Sequence, residues 1–514
     1  MTTNLKALVV VLVLAIAVFT VAKPICLRFM AASDFTRRRN IWLLLTAIAF
    51  TSPNFWLFAV VAMLLLFWGG RKDSNPIALY VLVMHVIPPT IGFEIPVVGI
   101  DHLFELNFYR LLSIFVLIPA GWRALQSTDR ARSSGSAIMD ILVLAYGGLQ
   151  LILLAPYQSI TNSARHGFLF FIDAFLVYFV VSRTCSNRRA ILDAMASIAL
   201  ACVIMAPMAL FEMAKGWLLY TNIAVVWNDP TRIGYIFRDD ALRAQVSVGH
   251  PLPLGYLLAT GFGFWLYLRT RVQPTLLNKM APIWMWMGLV AAYSRGPWVA
   301  AVVIFFAYLL LGPHGLTRSI KATLLLTAFA GLILVSPIGN RVVESIPFIG
   351  TIGSATVTYR EQLAMRSWQL IQEHPFFGDQ LVIMKMQSLR QGEGIVDLMN
   401  GYAAVALFYG VVGLSLFLAP FFIGMWNVHR IANRYGTLDS DVSLLGISLL
   451  AGMVGMLFML ATGGFGGSVE KIFWVLTGLA AGYTRLGRMQ GIVPATRSHE
   501  AAVHSQRSLR QGWH

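Results

Sequence analysis

Long apolar runs, repeated along the whole chain, constrain its fold more than any other feature. About fourteen of them are long enough, or nearly so, to cross a hydrocarbon core about 30 Å thick. Of all residues, 57% are apolar and only 12% are charged. Backbone polar groups inside a bilayer must pair within their own segment, so these runs predict helices. The sequence therefore predicts an all-α, polytopic membrane protein with about 12 to 15 transmembrane helices.

The distribution of Lys and Arg residues along the chain is the one expected of a membrane protein with a fixed orientation. The formal net charge is +16, but most Lys and Arg residues lie in short connections and in the C-terminal tail, which argues against a nucleic-acid partner. The basic tail predicts a cytoplasmic C-terminus, and counting spans back from it places the segments 214–250 and 338–400 outside. The first apolar run, 7–22, leads into Lys23 and a basic cluster at 37–39. We interpret it as a first span rather than a signal peptide. Three widely spaced cysteines predict neither a disulfide framework nor a metal site.

This topology divides the chain into six segments. They are N-terminal transmembrane helices (1–213), an external loop (214–250), a four-helix transmembrane segment (251–337), a large external loop (338–400), C-terminal transmembrane helices (401–485) and a cytoplasmic basic tail (486–514). Residues 41–69 contain Pro53 and predict either one kinked span or a hairpin. Charge flanking both ends favours the hairpin. A further span is expected at 76–92. The large loop predicts a helix of its own, Thr358 to Glu373, ended by His374-Pro375.

Three arginines, Arg243, Arg295 and Arg360, map to the external face, against the general charge pattern. Arg295 lies in the sharp break Ser294-Arg295-Gly296-Pro297 between two spans, where a charge is costly unless it is paired or binds a ligand. The guanidinium group is a planar fork of donors that binds phosphate in a bidentate way. The alternatives are an interfacial Arg295, an ordinary rim position for Arg243, and a solvated Arg360 paired with Glu361.

These residues resemble the bacterial O-antigen ligase and O-antigen polymerase superfamily. The resemblance is carried by Ser294-Arg295-Gly296, by the segment from Arg243 to Gly249-His250-Pro251, and by Arg360 followed by Glu373-His374-Pro375-Phe376-Phe377-Gly378. Asn400, Gly410 and Gly413 also match the spacing of a signature in the large periplasmic loop of the ligases. The resemblance covers residues 200 to 430, whereas the N-terminal spans match in hydropathy alone.

The resemblance implies a GT-C-like glycosyltransferase of the bacterial inner membrane, with its active site facing the periplasm. It implies an undecaprenyl-diphosphate-linked glycan donor, an acceptor sugar hydroxyl, and no metal or other cofactor. Arg243, Arg295 and Arg360 would hold the diphosphate leaving group. Fixed cations suit this role because negative charge develops on the diphosphate as the glycosyl bond breaks.

One departure from the family affects the expected chemistry. The signature histidine, the family's candidate base, is replaced by Met399, which cannot accept a proton. Asp397, Glu393 and His374 are the candidate bases that remain, and His250 is also predicted to lie outside. The missing histidine favours a polymerase of surface polysaccharide, either O-antigen or exopolysaccharide. The alternative is a ligase that attaches the polymer to lipid A-core. Chain-length regulators and export proteins are the expected partners.

The sequence leaves two alternative roles for each of two carboxylates, and it also allows a second class of function. Asp173, inside a predicted span, is either functional or a helix-packing residue. Glu212 either faces the same cavity as Arg243 or marks the interface. A secondary transporter or flippase of lipid-linked or anionic substrates is the alternative class. Transporters bind near the membrane midplane, often at broken helices within repeats. Here the arginines lie at the external face and no repeat is detected, so we favour the transferase.

Overall fold

The computed structural model describes residues 2–95, 103–126, 137–229, 233–238, 240–336, 354–390, 395–436 and 439–489. In chain order the helices are α1 (Thr2–Cys26), α2 (Ala32–Thr51), α3 (Phe55–Lys72), α4 (Pro76–Val83), α5 (Phe108–Gln126), α6 (Ala137–Leu154), α7 (Ile160–Thr184), α8 (Arg188–Lys215), α9 (Thr221–Val226), α10 (Pro251–Leu268), α11 (Leu276–Ala291), α12 (Arg295–Leu311), α13 (Gly315–Val335), α14 (Ser354–Glu373), α15 (Gly401–Tyr435), α16 (Ser440–Thr462) and α17 (Gly467–Met489). Two antiparallel hairpins accompany them: β1 (Gly92–Glu94) with β2 (Glu105–Asn107), and β3 (Phe237–Arg238) with β4 (Ala241–Leu242).

Nine of the described helices are long and apolar enough to cross a membrane, and α12 is a shorter apolar helix. The predicted all-α, polytopic membrane architecture is therefore confirmed. The hairpin within residues 41–69 is also confirmed, since α2 ends at Thr51 and α3 begins at Phe55. Asn54 caps α3 by accepting a hydrogen bond from the Leu57 N–H at 2.9 Å. At the other end of the chain, α17 continues to Met489, past the predicted end at residue 485.

The span expected at 76–92 is wrong. Helix α4 ends at Val83, and the chain then turns into the β1–β2 hairpin. Pro88 and Pro89 prevent a helix from continuing through the rest of the predicted span. Neither proline can donate the N–H that would bind a carbonyl one helical turn back, and each disfavours helical geometry in the residue before it.

One group of ion pairs lies at one end of the bundle. They join the ends of neighbouring helices: Arg38 with Asp73 and Asp193, Arg183 with Asp140, and Arg188 and Arg271 with Asp441. The Arg38 guanidinium is fully buried and forms a pair of hydrogen bonds, at 2.6 and 2.9 Å, with each of its two carboxylates. All of these residues lie at helix ends that the sequence predicts to be cytoplasmic.

Both predicted external loops contact the opposite end of the bundle. The Ala244 N–H donates to the Ala291 carbonyl at the end of α11, at 3.0 Å. In the second loop, α14 has the predicted C-terminal end but begins at Ser354 rather than Thr358. It packs on the 3-10 helix Val382–Leu389 and on α15, and together they enclose a loop core of apolar side chains: Leu363, Leu370, Val382, Met386, Val396 and Leu407. The loops are therefore packed structures that bring charged side chains to this end of the bundle.

Candidate active site

The break between α11 and α12 places Arg295 at a helix N-terminus. Arg295 is the first residue of α12, and Ser294 precedes it without capping the helix through its side chain. The first N–H groups of a helix have no partner within it and attract anions. Arg295 itself is half-buried. A guanidinium group beside these amides makes this corner strongly attractive to an anion.

Arg243 lies against the same corner. Its Nη2 donates to the Ser294 hydroxyl at 2.5 Å, directly beside Arg295. Its Nε is buried and has no hydrogen-bond partner among the described residues. Burial and the neighbouring Arg238 lower the pKa of Arg243 to about 10, so it stays charged at neutral pH. A partly buried cation with a buried, unused donor is the arrangement expected of a site that binds an anion.

Glu212 holds the segment that carries Arg243. It is fully buried, and its carboxylate accepts hydrogen bonds from the backbone N–H groups of Leu219 (2.9 Å), Gln245 (2.8 Å) and Val246 (2.9 Å). These bonds connect the end of α8 to two parts of the 214–250 loop. Glu212 therefore positions the loop around Arg243 and belongs to neither of the two roles considered from the sequence.

Arg360 reaches this corner from the large loop. The side chain is exposed, and its Nη2 donates to the Thr462 carbonyl at the end of α16 at 3.1 Å, rather than pairing with Glu361. Thr462 also faces α12, because a Cβ added to Gly296 would lie 3.1 Å from its Oγ1. The structure therefore brings Arg243, Arg295 and Arg360 together around the N-terminus of α12. We call these residues the arginine cluster.

A cavity of about 650 Å³ begins beside the arginine cluster. Its wall includes His250, on which the charge of Arg243 acts. It also includes Gly464 and Phe465, which closely follow the Thr462 carbonyl that binds Arg360. The volume is in the range of about 300 to 1,000 Å³ that is typical of small-molecule sites. The cavity can therefore hold part of a substrate next to an anion bound by the arginines.

The three candidate bases are placed differently. Asp397 lines the cavity, and the Tyr359 hydroxyl holds its backbone through contacts of 3.1 Å to the N–H and 3.2 Å to the carbonyl. His374 is exposed at the end of α14 and does not line this cavity. Glu393 lies outside the described residues. Met399, at the position of the family histidine, packs against the loop core.

His250 lines the cavity as a donor rather than as a base. Its Nδ1 accepts a hydrogen bond from the Leu252 N–H at 3.3 Å, capping α10. The proton of the neutral imidazole is therefore assigned to Nε2. The surrounding protein and the charge of Arg243 lower the pKa of His250 to about 4, so the ring is neutral at pH 7. With its proton on Nε2 and its Nδ1 occupied, His250 has no free lone pair for a substrate proton.

Two carboxylates lie in the deeper wall of the cavity. Asp173 is paired with Lys471 at 2.6 Å and with Arg110 at 3.1 Å, so the helix-packing interpretation describes its contacts. Glu470, in the first turn of α17, also lines the cavity and was not predicted from the sequence. The available signal was a charged pair, Glu470-Lys471, at the start of an otherwise apolar span.

The signature residues of the large loop have a structural explanation. Asn400 caps α15 by accepting hydrogen bonds from the N–H groups of Tyr402 and Ala403. Gly410 interrupts α15 with φ 64° and ψ −168°. The freed N–H groups of Val411 and Val412 bind the carbonyls of Pro375 (2.8 Å) and Phe376 (3.2 Å). The interruption therefore docks the loop that follows α14 onto α15.

Replacing Gly410 with alanine is expected to loosen this docking. The new Cβ would lie 2.2 Å from the backbone of Phe376, and the backbone conformation is one that only glycine adopts without strain of about 1 to 3 kcal/mol. We expect a lower melting temperature of the purified protein and more rapid proteolysis within residues 354–390. Gly331→Ala is the matched control, because nothing lies within 4 Å of an added Cβ there. Equal melting temperatures for the two variants would contradict this account.

Within the part of the chain that the structure describes, no group of three or more His, Cys, Asp or Glu side chains is arranged to hold a metal ion.

Residues 280–418 match the family model described as O-antigen ligase. This match covers part of the chain and supports its resemblance to the O-antigen ligase and polymerase superfamily. The matched segment contains Arg295, Arg360 and the Gly410 interruption, whereas Arg243 and Glu470 lie outside it. No curated protein matches the chain. Together with the membrane helices, this match supports a ligase-like or polymerase-like glycosyltransferase function for a multi-pass membrane protein.

Proposed function

We propose that this protein transfers a glycan from an undecaprenyl-diphosphate-linked donor to an acceptor sugar hydroxyl at the periplasmic face of the inner membrane. The observation that carries the proposal is the arginine cluster at the N-terminus of α12, next to a cavity of about 650 Å³. The cluster is contributed by two loops and a helix break that lie far apart in the sequence. Packing therefore gathers the cations at one place.

In this reaction the acceptor oxygen attacks the anomeric carbon of the donor, and the bond from that carbon to the diphosphate oxygen breaks. The electron pair of the broken bond stays on the diphosphate. Arg243 and Arg295, with the free N–H groups of α12, stabilise this charge as it develops. Their contacts are fixed before the reaction, so no solvent has to reorganise. The acceptor sugar occupies the cavity, and the polyprenyl tail remains in the membrane.

A polymerase fits the loop better than a ligase. At position 399, where the ligases carry their histidine, Met399 packs against the loop core. A polymerase of O-antigen or exopolysaccharide uses a second lipid-linked glycan as its partner, whereas a ligase uses lipid A-core. Chain-length regulators and export proteins are the accessory partners that either activity implies.

The test is to delete the gene in the native bacterium and to resolve the lipid-linked glycans by mass spectrometry. We expect single repeat units to accumulate on undecaprenyl diphosphate, exposed to a membrane-impermeant reagent at the periplasmic face. Long unattached chains would instead indicate a ligase. Units confined to the cytoplasmic leaflet would indicate a flippase. An unchanged pool would contradict the transferase, and complementation with the wild-type gene is the control.

A further inference from the structure

We propose that Glu470 is the catalytic base that takes the proton from the acceptor hydroxyl. This inference rests on the proposed transferase function and names a residue that the family match does not reach. Glu470 lies in the first turn of α17, is partly accessible, and lines the same cavity as Asp397 and His250. Its carboxylate therefore faces the space that we assign to the acceptor.

The charges around Glu470 leave its carboxylate available. Lys471 is its neighbour in sequence, but the Lys471 ammonium group donates to the carboxylate of Asp173 at 2.6 Å and to the Asp173 carbonyl at 2.8 Å. Arg110 also binds the Asp173 carboxylate, at 3.1 Å. Among the described residues, no cation within 4 Å pairs with Glu470.

A donor next to Glu470 supports the same role. The indole N–H of Trp474, one turn further along α17, is buried and has no partner with hydrogen-bond geometry among the residues that the structure describes. The indole lies close enough to Glu470 to stabilise negative charge on the carboxylate. Tyr146 of α6 and Tyr409 of α15 line the same cavity, and the charge of Glu470 acts on both hydroxyl groups. The Glu470 carboxylate therefore lies among polar side chains at the wall of the cavity.

The other titratable groups of the cavity fit the role less well. Asp173 is held in two ion pairs, and the Nδ1 of His250 already accepts a backbone hydrogen bond. His166 also lines the cavity, from α7. Asp397 is exposed, and a base is more effective where water is excluded. Glu470 combines an unpaired carboxylate with a protein-enclosed position.

The step balances as a single displacement. The acceptor O–H bond breaks, its proton passes to a Glu470 oxygen, and the acceptor oxygen forms the new bond to the anomeric carbon. The diphosphate leaves with the electron pair and is held by the arginine cluster. Glu470 then releases its proton to water and returns to the carboxylate.

Glu470→Gln tests the inference because it keeps the size of the side chain and removes the base. Transfer is measured in membranes that carry each variant, supplied with the lipid-linked glycans extracted from the deletion strain. We expect a loss of about 100-fold or more in Glu470→Gln. The wild-type rate should fall as the pH drops through the titration of Glu470, and the residual rate of Glu470→Gln should lack this acidic limb. Glu361→Gln, an exposed change outside the cavity, is the matched control and should equal wild type.

Binding of undecaprenyl diphosphate to the purified variants separates the possible failures. Glu470→Gln should bind it as wild type does. Transfer by Glu470→Gln within about threefold of wild type would overturn the role of Glu470. So would a pH profile in which Asp397→Asn, rather than Glu470→Gln, loses the fall in rate at low pH. Neither result would contradict the arginine cluster. Loss of binding in Glu470→Gln would make the residue structural and also overturn the inference. Wild-type protein that neither binds undecaprenyl diphosphate nor transfers glycan would refute the proposed function itself.

Discussion

Arg295→Ala is expected to lower glycan transfer by about 100-fold to 1,000-fold, the usual cost of removing one fixed donor from a developing anion. The protein should still accumulate in the membrane, because Arg295 lies at the start of α12 rather than in its packed interior. Arg243→Ala should have a comparable effect, since Arg243 is partly buried and its buried Nε donor is unused. Arg360 is exposed, so water partly replaces it and its removal should cost less. Surface polymer and membrane-bound protein are measured in the same cells.

The matched control is Arg366→Ala, which removes the same charge from the same helix as Arg360 but away from the cluster. The Arg366 guanidinium donates to Gln369 and to the Lys385 carbonyl. We expect normal polymer in this variant. Arg295→Lys should recover part of the activity, because lysine keeps the charge but lacks the planar fork. Normal polymer in both Arg243→Ala and Arg295→Ala would exclude the arginine cluster as the diphosphate site.

Arg38→Ala is expected to have the largest effect on folding. It leaves the carboxylates of Asp73 and Asp193 buried without their shared cation, at a cost of about 3 to 5 kcal/mol. Because Arg38 connects α2, the end of α3 and the start of α8, the loss should separate these helices. We expect little protein in the membrane and a strongly reduced melting temperature after purification in detergent.

Arg39→Ala is the control for charge. It removes the same positive charge from the neighbouring position, so it alters membrane orientation signals equally. Its guanidinium contacts only the adjacent Asn40 side chain in the described part of the chain. Equal accumulation of Arg38→Ala and Arg39→Ala would mean that the buried network does not stabilise the fold.

Features that depend on one segment were predictable from the sequence. The length and composition of each apolar run predict a membrane helix without knowledge of its neighbours, and the α2–α3 hairpin followed from Pro53 and flanking charge. The prediction failed at 76–92, where an apolar run was interrupted by Pro88 and Pro89 and the chain turned into a hairpin. A hydropathy average does not reflect that the two prolines lack the backbone N–H groups that a helix needs.

The candidate site was predictable in part. Topology placed Arg243, Arg295 and Arg360 on one face, and resemblance to the superfamily gave them a common role. The roles of Glu212 and Gly410 were not accessible in this way, because each depends on a contact with a segment that is distant in sequence. Glu212 binds the loop around Arg243, and Gly410 binds the loop that follows α14.

By itself the sequence determined that this chain is a polytopic helical membrane protein, and it predicts which cations reach the outer face. The length of an apolar run and the charge of its flanking loops favour insertion and orientation in the membrane, whatever helices pack beside it. Only the tertiary structure decided that three cations meet at the start of α12 and that Glu470 faces a cavity beside them. These residues come close together because their helices pack side by side. The spacing of residues along the sequence does not show which helices pack together.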